Sequence, residues 1–339
     1  MEKIDWDNLG FNVVETHSMY KASCRIGEEW KLGGLIPYGT IELSPAAGVL
    51  NYGQGCFEGT KAYRTVKDRV VLFRPEMNAK RMALSTKRLC IPEMNQEFFL
   101  NAVKETLKDN IDYVPPYGKG SLYIRPIVWG TSPALGVKPV EVYTFMVFVS
   151  PVGPYFKGDI QPLKLKVSNK YHRAAPKGIG NAKAIGNYSA SLLPLIEAKN
   201  SGFDEVIYLN AKDEEFVEEV GSANLFVLTG NTIKTPKLDG SILPGITRDS
   251  VITLAKDTIG LEVLETNVTL TELYDADEVF CTGTAVVVTP VGSITGLDGK
   301  HKIADGKMGQ LTSKLRQLLT GIQRGDISDE FGWLYPIKE

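Results

Sequence analysis

The chain has 339 residues and a formal net charge of −2, so it is long enough for two domains with separate cores. The near-neutral charge, without a basic stripe, excludes nucleic acid as a partner, and no apolar run reaches the ~18 residues of a membrane helix. Four scattered cysteines and three scattered histidines predict no metal site, and the acidic N-terminus without a signal-peptide core predicts a cytoplasmic protein.

Strand and helix patterns alternate in the first half of the chain. Pro75 opens the first helical stretch, and its fixed φ suits the first turn of a helix. The predicted elements are a strand at 69–73, helices at 76–89 and 95–110, and core strands at 121–129 and 142–149.

The middle of the chain, residues 153–163, holds two glycines and two prolines, which is typical of a linker. Beyond it, short strands and helices interleave and predict a mixed-sheet or barrel-like domain. The predicted elements there are strands at 164–168, 205–210, 224–229, 278–281 and 286–289 and helices near 188–200, 247–258 and 308–323. The predicted fold class is α+β (mixed α/β), with a small α/β domain at 1–152, a linker at 153–163 and a large domain at 164–339.

Lys183 lies between two glycine clusters and just before a helical stretch. Its neighbours Ala182, Ala184 and Ile185 are apolar, and desolvation favours the neutral amine, which is the form that attacks carbonyl groups. The alternative from local composition is a solvated lysine in a glycine loop.

Four other features have the chemistry of an anion or cofactor site. Pro244-Gly245 precedes a helix whose first N–H groups, on Ile246 and Thr247, suit an anion, and residues 282–285 offer hydroxyl and N–H groups between two strand patterns. Arg81 shares a helix face with apolar residues, and Glu219 ends an acidic run. The alternatives are a capped helix, a strand turn, a snorkelling arginine and a solvated acidic face.

In chain order, these features and their neighbours resemble the fold-type IV pyridoxal-phosphate enzymes, and within them the branched-chain-amino-acid aminotransferase family. The segments that carry the resemblance are Tyr52-Gly-Gln-Gly-Cys-Phe57-Glu-Gly, Phe73-Arg-Pro, Asn78-Ala-Lys-Arg81-Met, Tyr123-Ile-Arg125-Pro126, Pro151-Val-Gly-Pro-Tyr, Lys183-Ala-Ile-Gly-Asn-Tyr188, Glu219-Val-Gly-Ser-Ala-Asn224-Leu-Phe, Leu243-Pro-Gly-Ile-Thr-Arg248 and Gly283-Thr-Ala. The resemblance implies the two-domain, D-amino-acid-aminotransferase-like fold with pyridoxal 5'-phosphate at the domain interface.

The resemblance also assigns roles around that cofactor. Lys183 would bind the cofactor's aldehyde as a Schiff base and then act as the catalytic base. Glu219 would keep the pyridinium nitrogen protonated, and Tyr188 would contact the cofactor. The implied phosphate site consists of Arg81, the N–H groups of Ile246 and Thr247, and Thr284.

The implied reaction is reversible amino transfer between branched-chain L-amino acids (leucine, isoleucine or valine) and 2-oxoglutarate, giving the 2-oxo acid and L-glutamate. Arg125 would bind the γ-carboxylate of glutamate beside an apolar wall; the alternative is a structural strand arginine. The other implied substrate contacts are Tyr52, Phe57, Tyr123, Leu135, Val137, Ser222, Ala223, Thr284 and Ala285. Leu135 and Val137 match a loop from the other subunit, so the family implies a homodimer or a larger homo-oligomer.

Some positions depart from the mammalian pattern of the family. Val286 and Thr289 replace a redox C-x-x-C, so thiol regulation is not expected there, and Pro194 predicts a kink or a register shift in the helix after Lys183. Two alternatives stay open: another fold-type IV enzyme, either a D-amino-acid aminotransferase or an aminodeoxychorismate lyase, and a nucleotide-binding or regulatory α/β protein without catalysis.

Overall fold

The computed structural model describes residues 4–153 and 160–337, and these residues cluster into two units. The first unit contains residues 4–153, 182–185 and 321–337, and the second contains residues 160–181 and 186–320. Most of the predicted linker, residues 154–159, lies outside the described residues, and Leu163 already begins a strand.

The first unit is built on one antiparallel sheet, with strand order β17-β5-β4-β6-β7-β1-β2 and β3 paired with β6. Its strands are β1 (Ser18–Arg25), β2 (Gly34–Pro37), β3 (Gly55–Phe57), β4 (Thr60–Arg64), β5 (Val70–Phe73), β6 (Ser121–Gly130), β7 (Val142–Val152) and, at the end of the chain, β17 (Leu334–Pro336). The helices are α1 (Gly48–Tyr52), α2 (Pro75–Arg88) and α3 (Gln96–Asp109), followed by a 3-10 turn at Ile111–Tyr113.

The core of this unit lies between the sheet and helix α3. Apolar residues at helical spacing, Phe99, Val103 and Leu107, are fully buried and pack with Phe145 of β7. The Asn95 side chain accepts the Phe98 N–H at 2.8 Å and so fixes the start of the helix.

The domain boundaries predicted from the sequence differ from these units at two places. Residues 182–185 join the first unit because Ala184 bridges to Cys56 of β3, and residues 321–337 join it because β17 pairs with β5. Both associations connect residues far apart in the chain, and local periodicity does not record such pairings.

The second unit is a closed barrel, which agrees with the predicted mixed-sheet or barrel-like domain. Six strands pair in the ring β10-β9-β8-β15-β14-β11 and back to β10, and β12, β13 and β16 extend it. The strands are β8 (Leu163–Val167), β9 (Glu205–Leu209), β10 (Val217–Val220), β11 (Ala223–Thr229), β12 (Thr232–Pro236), β13 (Glu262–Thr266), β14 (Glu278–Gly283), β15 (Val287–Thr295) and β16 (Lys300–Lys302). Alternate apolar residues such as Leu225, Val227, Val279 and Cys281 form its buried core.

The helical stretch predicted near 188–200 is two helices, and Pro194 lies in the first turn of the second, where proline is tolerated. The later helices are α4 (Ile185–Ser189), α5 (Leu192–Asn200), α6 (Ile246–Thr253), α7 (Leu270–Tyr274) and α8 (Gln310–Arg324), with a π-helical turn at Leu254–Ile259 and a 3-10 turn at Ala304–Gly306. In the described part of the chain, no helix is long and apolar enough to cross a bilayer.

Candidate active site

Lys183 is held on the first unit by backbone contacts to two elements. The Phe57 N–H donates to the Lys183 carbonyl at 3.1 Å, and the Lys183 N–H donates to Ser85 Oγ on α2 at 2.9 Å. The lysine is half-buried between the buried residues Ala182 and Ala184, and its Nζ lies 4.8 Å from the centre of the Phe57 ring. The apolar flanks in the sequence therefore do surround a lysine packed against an aromatic face.

Beside Lys183 lies a buried carboxylate, Glu58, which no sequence pattern singled out. Arg81 donates to it twice, Nε to Oε1 at 2.7 Å and Nη2 to Oε2 at 2.8 Å, and Asn78 Nδ2 donates to Oε2 at 2.7 Å. Burial by itself raises the pKa of Glu58, but the charge and hydrogen bonds of Arg81, together with Lys183 and Asn78, bring the pKa below its ordinary value. Glu58 is therefore an ionised group that faces both cations.

Arg81 meets a buried anion instead of snorkelling to solvent, and that anion is Glu58. Helix α2 places Asn78, Arg81 and Ser85 at spacings of three and four residues, so their side chains share the buried face of the helix. The motif Phe57-Glu-Gly contained the missing signal, since a glutamate followed by glycine on a buried strand needs a cationic partner.

Three residues of the predicted substrate wall lie together on β3 and β6. The Arg125 guanidinium lies 4.7 Å from the centre of the Phe57 ring and 5.2 Å from that of Tyr123, and its Nη2 donates to the Tyr123 hydroxyl at 3.0 Å. A side chain at Gly59 would collide with this hydroxyl, so glycine is required there. Phe57 thus has Lys183 and Arg125 as neighbours, which combines an amine, an apolar face and a cation.

Tyr52, Leu135 and Val137 form a more exposed group on the same unit. The Tyr52 hydroxyl donates to the Leu135 carbonyl, and the side chains of Leu135 and Val137 are 92% and 87% exposed. Two apolar side chains so open to solvent are unusual in a folded chain unless another surface covers them.

On the second unit, Glu219 is the member of the acidic run that turns inward and pairs with a cation. Arg173 Nη2 lies 2.5 Å from Glu219 Oε2, and the Asn224 Nδ2 and Leu243 N–H groups also donate to the carboxylate, at 3.0 and 3.3 Å. Both side chains of the ion pair are buried. Arg173 lacks any motif or periodicity that sequence reasoning could have used.

Asn224 links Glu219 to the N-terminus of α6. Its Nδ2 group also donates to the Leu243 carbonyl at 3.0 Å, and a side chain at Gly245 would collide with its Oδ1 atom. Gly245 caps α6 without a side-chain hydrogen bond to the first-turn N–H groups, and Thr247 in that turn is buried. These first-turn donors have the chemistry of an anion site.

The remaining predicted residues of the second unit lie on turns and on α4. Thr284 and Ala285 are half-buried in the turn between β14 and β15, and Ser222 is exposed in the turn before β11, next to half-buried Ala223. Tyr188 is half-buried on α4. One further group points to a ligand, because the buried Thr282 hydroxyl, paired across the strands with Asn224, lacks a hydrogen-bond partner in the described part of the chain.

Comparison with known proteins gives the class of the chain. The model of the family described as amino-transferase class IV matches residues 55–294. The chain is 50% identical over 330 residues to the branched-chain amino acid aminotransferase 2, chloroplastic, of Humulus lupulus, and the match covers 97% of this chain and 81% of that relative. It is 49% identical over 332 residues to the branched-chain-amino-acid aminotransferase 3, chloroplastic, of Arabidopsis thaliana, where the match covers 97% and 80%.

Solved structures agree with the sequence relatives. The Escherichia coli branched-chain amino acid aminotransferase matches with a TM-score of 0.82 and 30% identity, covering 96% of this chain and 100% of that one. The branched-chain aminotransferase of the thermophilic archaeon Thermoproteus uzoniensis, solved with norvaline, matches with a TM-score of 0.79 and 30% identity, covering 95% and 100%. A third branched-chain amino acid aminotransferase, from T.th. and solved with pyridoxamine 5'-phosphate, matches with a TM-score of 0.81 and 32% identity, covering 96% and 100%.

The chain therefore belongs to the class IV aminotransferases. The predicted α+β, fold-type IV class is confirmed by these structures, and the predicted enzyme, a branched-chain-amino-acid transaminase, is confirmed by the relatives.

The predicted cytoplasmic location is wrong. Relatives from Humulus lupulus and Arabidopsis thaliana at 46% to 50% identity are named chloroplastic or mitochondrial. Composition and net charge reflect solubility and surface chemistry, and they do not record the compartment in which a protein resides.

Proposed function

We propose that this transaminase uses pyridoxal 5'-phosphate to move an amino group reversibly between L-leucine, L-isoleucine or L-valine and 2-oxoglutarate. The observation that carries the proposal is the contact of Phe57 with both the Lys183 amine and the Arg125 guanidinium. An amine for the chemistry, an apolar face for an aliphatic side chain and a cation for a second carboxylate are what such a pair of substrates needs.

The donor set fits that cofactor. A phosphate suits the uncapped N–H groups of Ile246 and Thr247 together with Thr284 and Arg81, and an aromatic nitrogen suits the buried Glu219 carboxylate. When bound, the cofactor supplies an electron sink for the pair left at the substrate Cα. Tyr188, half-buried on α4, is proposed to contact the cofactor as well.

Lys183 performs the proton transfers in this proposal. Its amine binds the cofactor's aldehyde, is released by the incoming amino acid, and then takes the proton from the substrate Cα and returns it one bond away. Glu58 and Arg81 keep the surroundings of Lys183 charged and fixed, because the buried ion pair cannot rearrange without leaving an unpaired charge.

Glu219 holds a proton on the ring nitrogen, and Arg173 keeps this carboxylate ionised and in place through its 2.5 Å ion pair. Asn224 ties the same carboxylate to the loop before α6. The second unit therefore carries the proposed nitrogen partner and the proposed phosphate donors on one hydrogen-bonded framework.

The substrate is proposed to bind by its two ends. The N–H groups of Thr284 and Ala285 receive the α-carboxylate, and the side chain rests on Phe57, Tyr52 and Tyr123 with Ser222 and Ala223. The γ-carboxylate of glutamate or 2-oxoglutarate pairs with Arg125.

The proposed assembly is a homodimer or a larger homo-oligomer. The exposure of Leu135 and Val137, at 92% and 87%, supports it, since a second copy of the chain would cover these apolar side chains.

A substrate panel tests the proposed function. Purified enzyme is supplied with 2-oxoglutarate and each of L-leucine, L-isoleucine, L-valine, L-methionine and D-alanine, and glutamate formation is followed. Methionine is included because one relative, 42% identical and from Arabidopsis thaliana, is named a methionine aminotransferase. We expect turnover with the three branched-chain L-amino acids; turnover with D-alanine and none with L-leucine would contradict the proposal.

A further inference from the structure

The hairpin that joins β14 to β15 ends in a turn with an unusual backbone. Gly283 pairs with Val287, so Thr284, Ala285 and Val286 form the loop. Val287 has a φ of 61°, the left-handed region that β-branched residues rarely adopt. Strained backbone of this kind persists only when surrounding contacts determine it, and it clusters at functional sites.

Two side chains hold this turn from outside the loop. Thr289 Oγ1 donates to the Val286 carbonyl at 2.8 Å. Arg316 Nη1, on α8, donates to the Val288 carbonyl at 2.6 Å and to the Val286 carbonyl at 3.3 Å. The guanidinium therefore contacts the backbone on both sides of the strained residue.

The position of Arg316 is itself fixed by the same hairpin. Glu278, at the start of β14, accepts the Leu311 and Thr312 N–H groups at 2.9 and 2.8 Å and the Thr312 hydroxyl at 2.7 Å. This buried carboxylate sets the register of α8 on β14. Thr312 and Arg316 are four residues apart, so they lie on the same face of the helix.

We propose that Arg316 is a positioning residue for substrate binding, which holds the Thr284–Val286 turn in the conformation that receives the substrate carboxylate and places a positive charge behind it. Fixing the Val286 carbonyl fixes a rigid peptide plane and limits the rotations open to Ala285 and Thr284. The inference rests on the proposed function, in which the N–H groups of Thr284 and Ala285 bind that carboxylate.

Three variants separate this role from helix anchoring. Arg316→Met removes the charge and the donors, Arg316→Gln keeps donors without the charge, and Lys314→Met is the control, because Lys314 is on the same helix and makes no contact with the turn in the described part of the chain. The probe is 4-methylvalerate, a carboxylate with a leucine-like side chain and no amino group, titrated calorimetrically into the cofactor-loaded enzyme. The KM and kcat for L-leucine and 2-oxoglutarate and the hydrogen exchange of residues 283–289 are measured in parallel.

For Arg316→Met we expect the Kd of 4-methylvalerate and both KM values to rise about tenfold, which corresponds to about 1.4 kcal/mol, with kcat within about threefold of wild type. Exchange of residues 283–289 should become faster, Arg316→Gln should lie between wild type and Arg316→Met, and Lys314→Met should match wild type. An Arg316→Met enzyme with wild-type thermal stability and an unchanged Kd would overturn the inference.

If Arg316→Met does not fold, Thr289→Val carries the test, because it removes the other donor to the Val286 carbonyl and leaves α8 intact. We expect its Kd to rise about threefold or more, and an unchanged Kd would overturn the inference. A wild-type enzyme that does not turn over L-leucine would overturn the proposed function instead, so the two failures are distinguishable.

Discussion

Glu58 is a fully buried carboxylate with Arg81 and Lys183 as its cationic neighbours. Because its folded pKa is lowered, Glu58 binds a proton more readily in the unfolded chain. Its stabilisation is therefore present above the unfolded pKa of about 4.3 and is lost as the pH falls through the lower folded value. The arrangement ties the stability of the first unit to the charge next to Lys183.

Glu58→Gln should lower the free energy of unfolding at neutral pH by about 3–5 kcal/mol, since it leaves Arg81 buried without its counter-charge. The variant should also lose less stability than wild type as the pH falls below about 4.3. Urea unfolding at neutral and acidic pH measures both effects, with Glu105→Gln on the exposed side of α3 as the control. Equal acid dependence in Glu58→Gln and wild type would refute this role of Glu58.

Arg125 distinguishes the two kinds of substrate. Removing it in Arg125→Ala should raise KM for glutamate and 2-oxoglutarate by about tenfold or more and change KM for L-leucine by about twofold. Steady-state kinetics of both half-reactions measure the split, and Arg69→Ala, an exposed arginine before β5, is the control. Equal losses for both substrates would indicate a structural strand arginine.

At the residue level, sequence reasoning found the groups that lie in motifs and missed those that act through them. Lys183, Arg81 and Glu219 stood out by their neighbours in the chain. Their partners Glu58 and Arg173 come from distant positions and gain their meaning only from an ion pair made in the fold. Pairings of this kind leave no local spacing to detect.

At the scale of elements, the long periodic patterns predicted the structure well. Helices α2 and α3 and strands β6 and β7 lie within a few residues of their predicted bounds, because each has a continuous apolar face. Strands β3 and β4 were not predicted, since β3 has three residues and the buried Lys61 disguises β4. The predicted helix at 188–200 is interrupted after Ser189, and neither segment is long enough to show that break by periodicity.

The β14–β15 hairpin allows a prediction about strain. Val287 in the left-handed region costs roughly 1–2 kcal/mol, which Val287→Gly would relieve. Glycine also gives the unfolded chain more freedom, at about 0.5–1 kcal/mol, so the free energy of unfolding should change by less than about 1 kcal/mol.

The same variant should loosen the turn, so we expect KM for L-leucine to rise about threefold or more. Thermal unfolding and steady-state kinetics measure the two quantities, and Val66→Gly, at an exposed position in the turn before β5, is the comparison. A Val287→Gly enzyme with an unchanged KM would separate the strain from substrate binding.

At the scale of the whole molecule, motifs in chain order predicted the family, the enzyme and the fold class, because each motif has a backbone or charge requirement of its own. The compartment could not be predicted, since composition does not record it, and relatives at up to 50% identity are chloroplastic or mitochondrial. The association of residues 182–185 and 321–337 with the first unit depends on strand pairing over long distances in the chain.

The account depends most on Lys183 as the residue that binds pyridoxal 5'-phosphate and then serves as the base. The most direct test is the visible absorption spectrum of the purified enzyme before and after L-leucine is added, for wild type, Lys183→Ala and the exposed control Lys80→Ala. We expect wild type and the control to be yellow, to lose the visible band with L-leucine and to regain it with 2-oxoglutarate, and Lys183→Ala to show neither the native band nor turnover. A colourless wild type, or a Lys183→Ala enzyme with the native band and full turnover, would contradict the account.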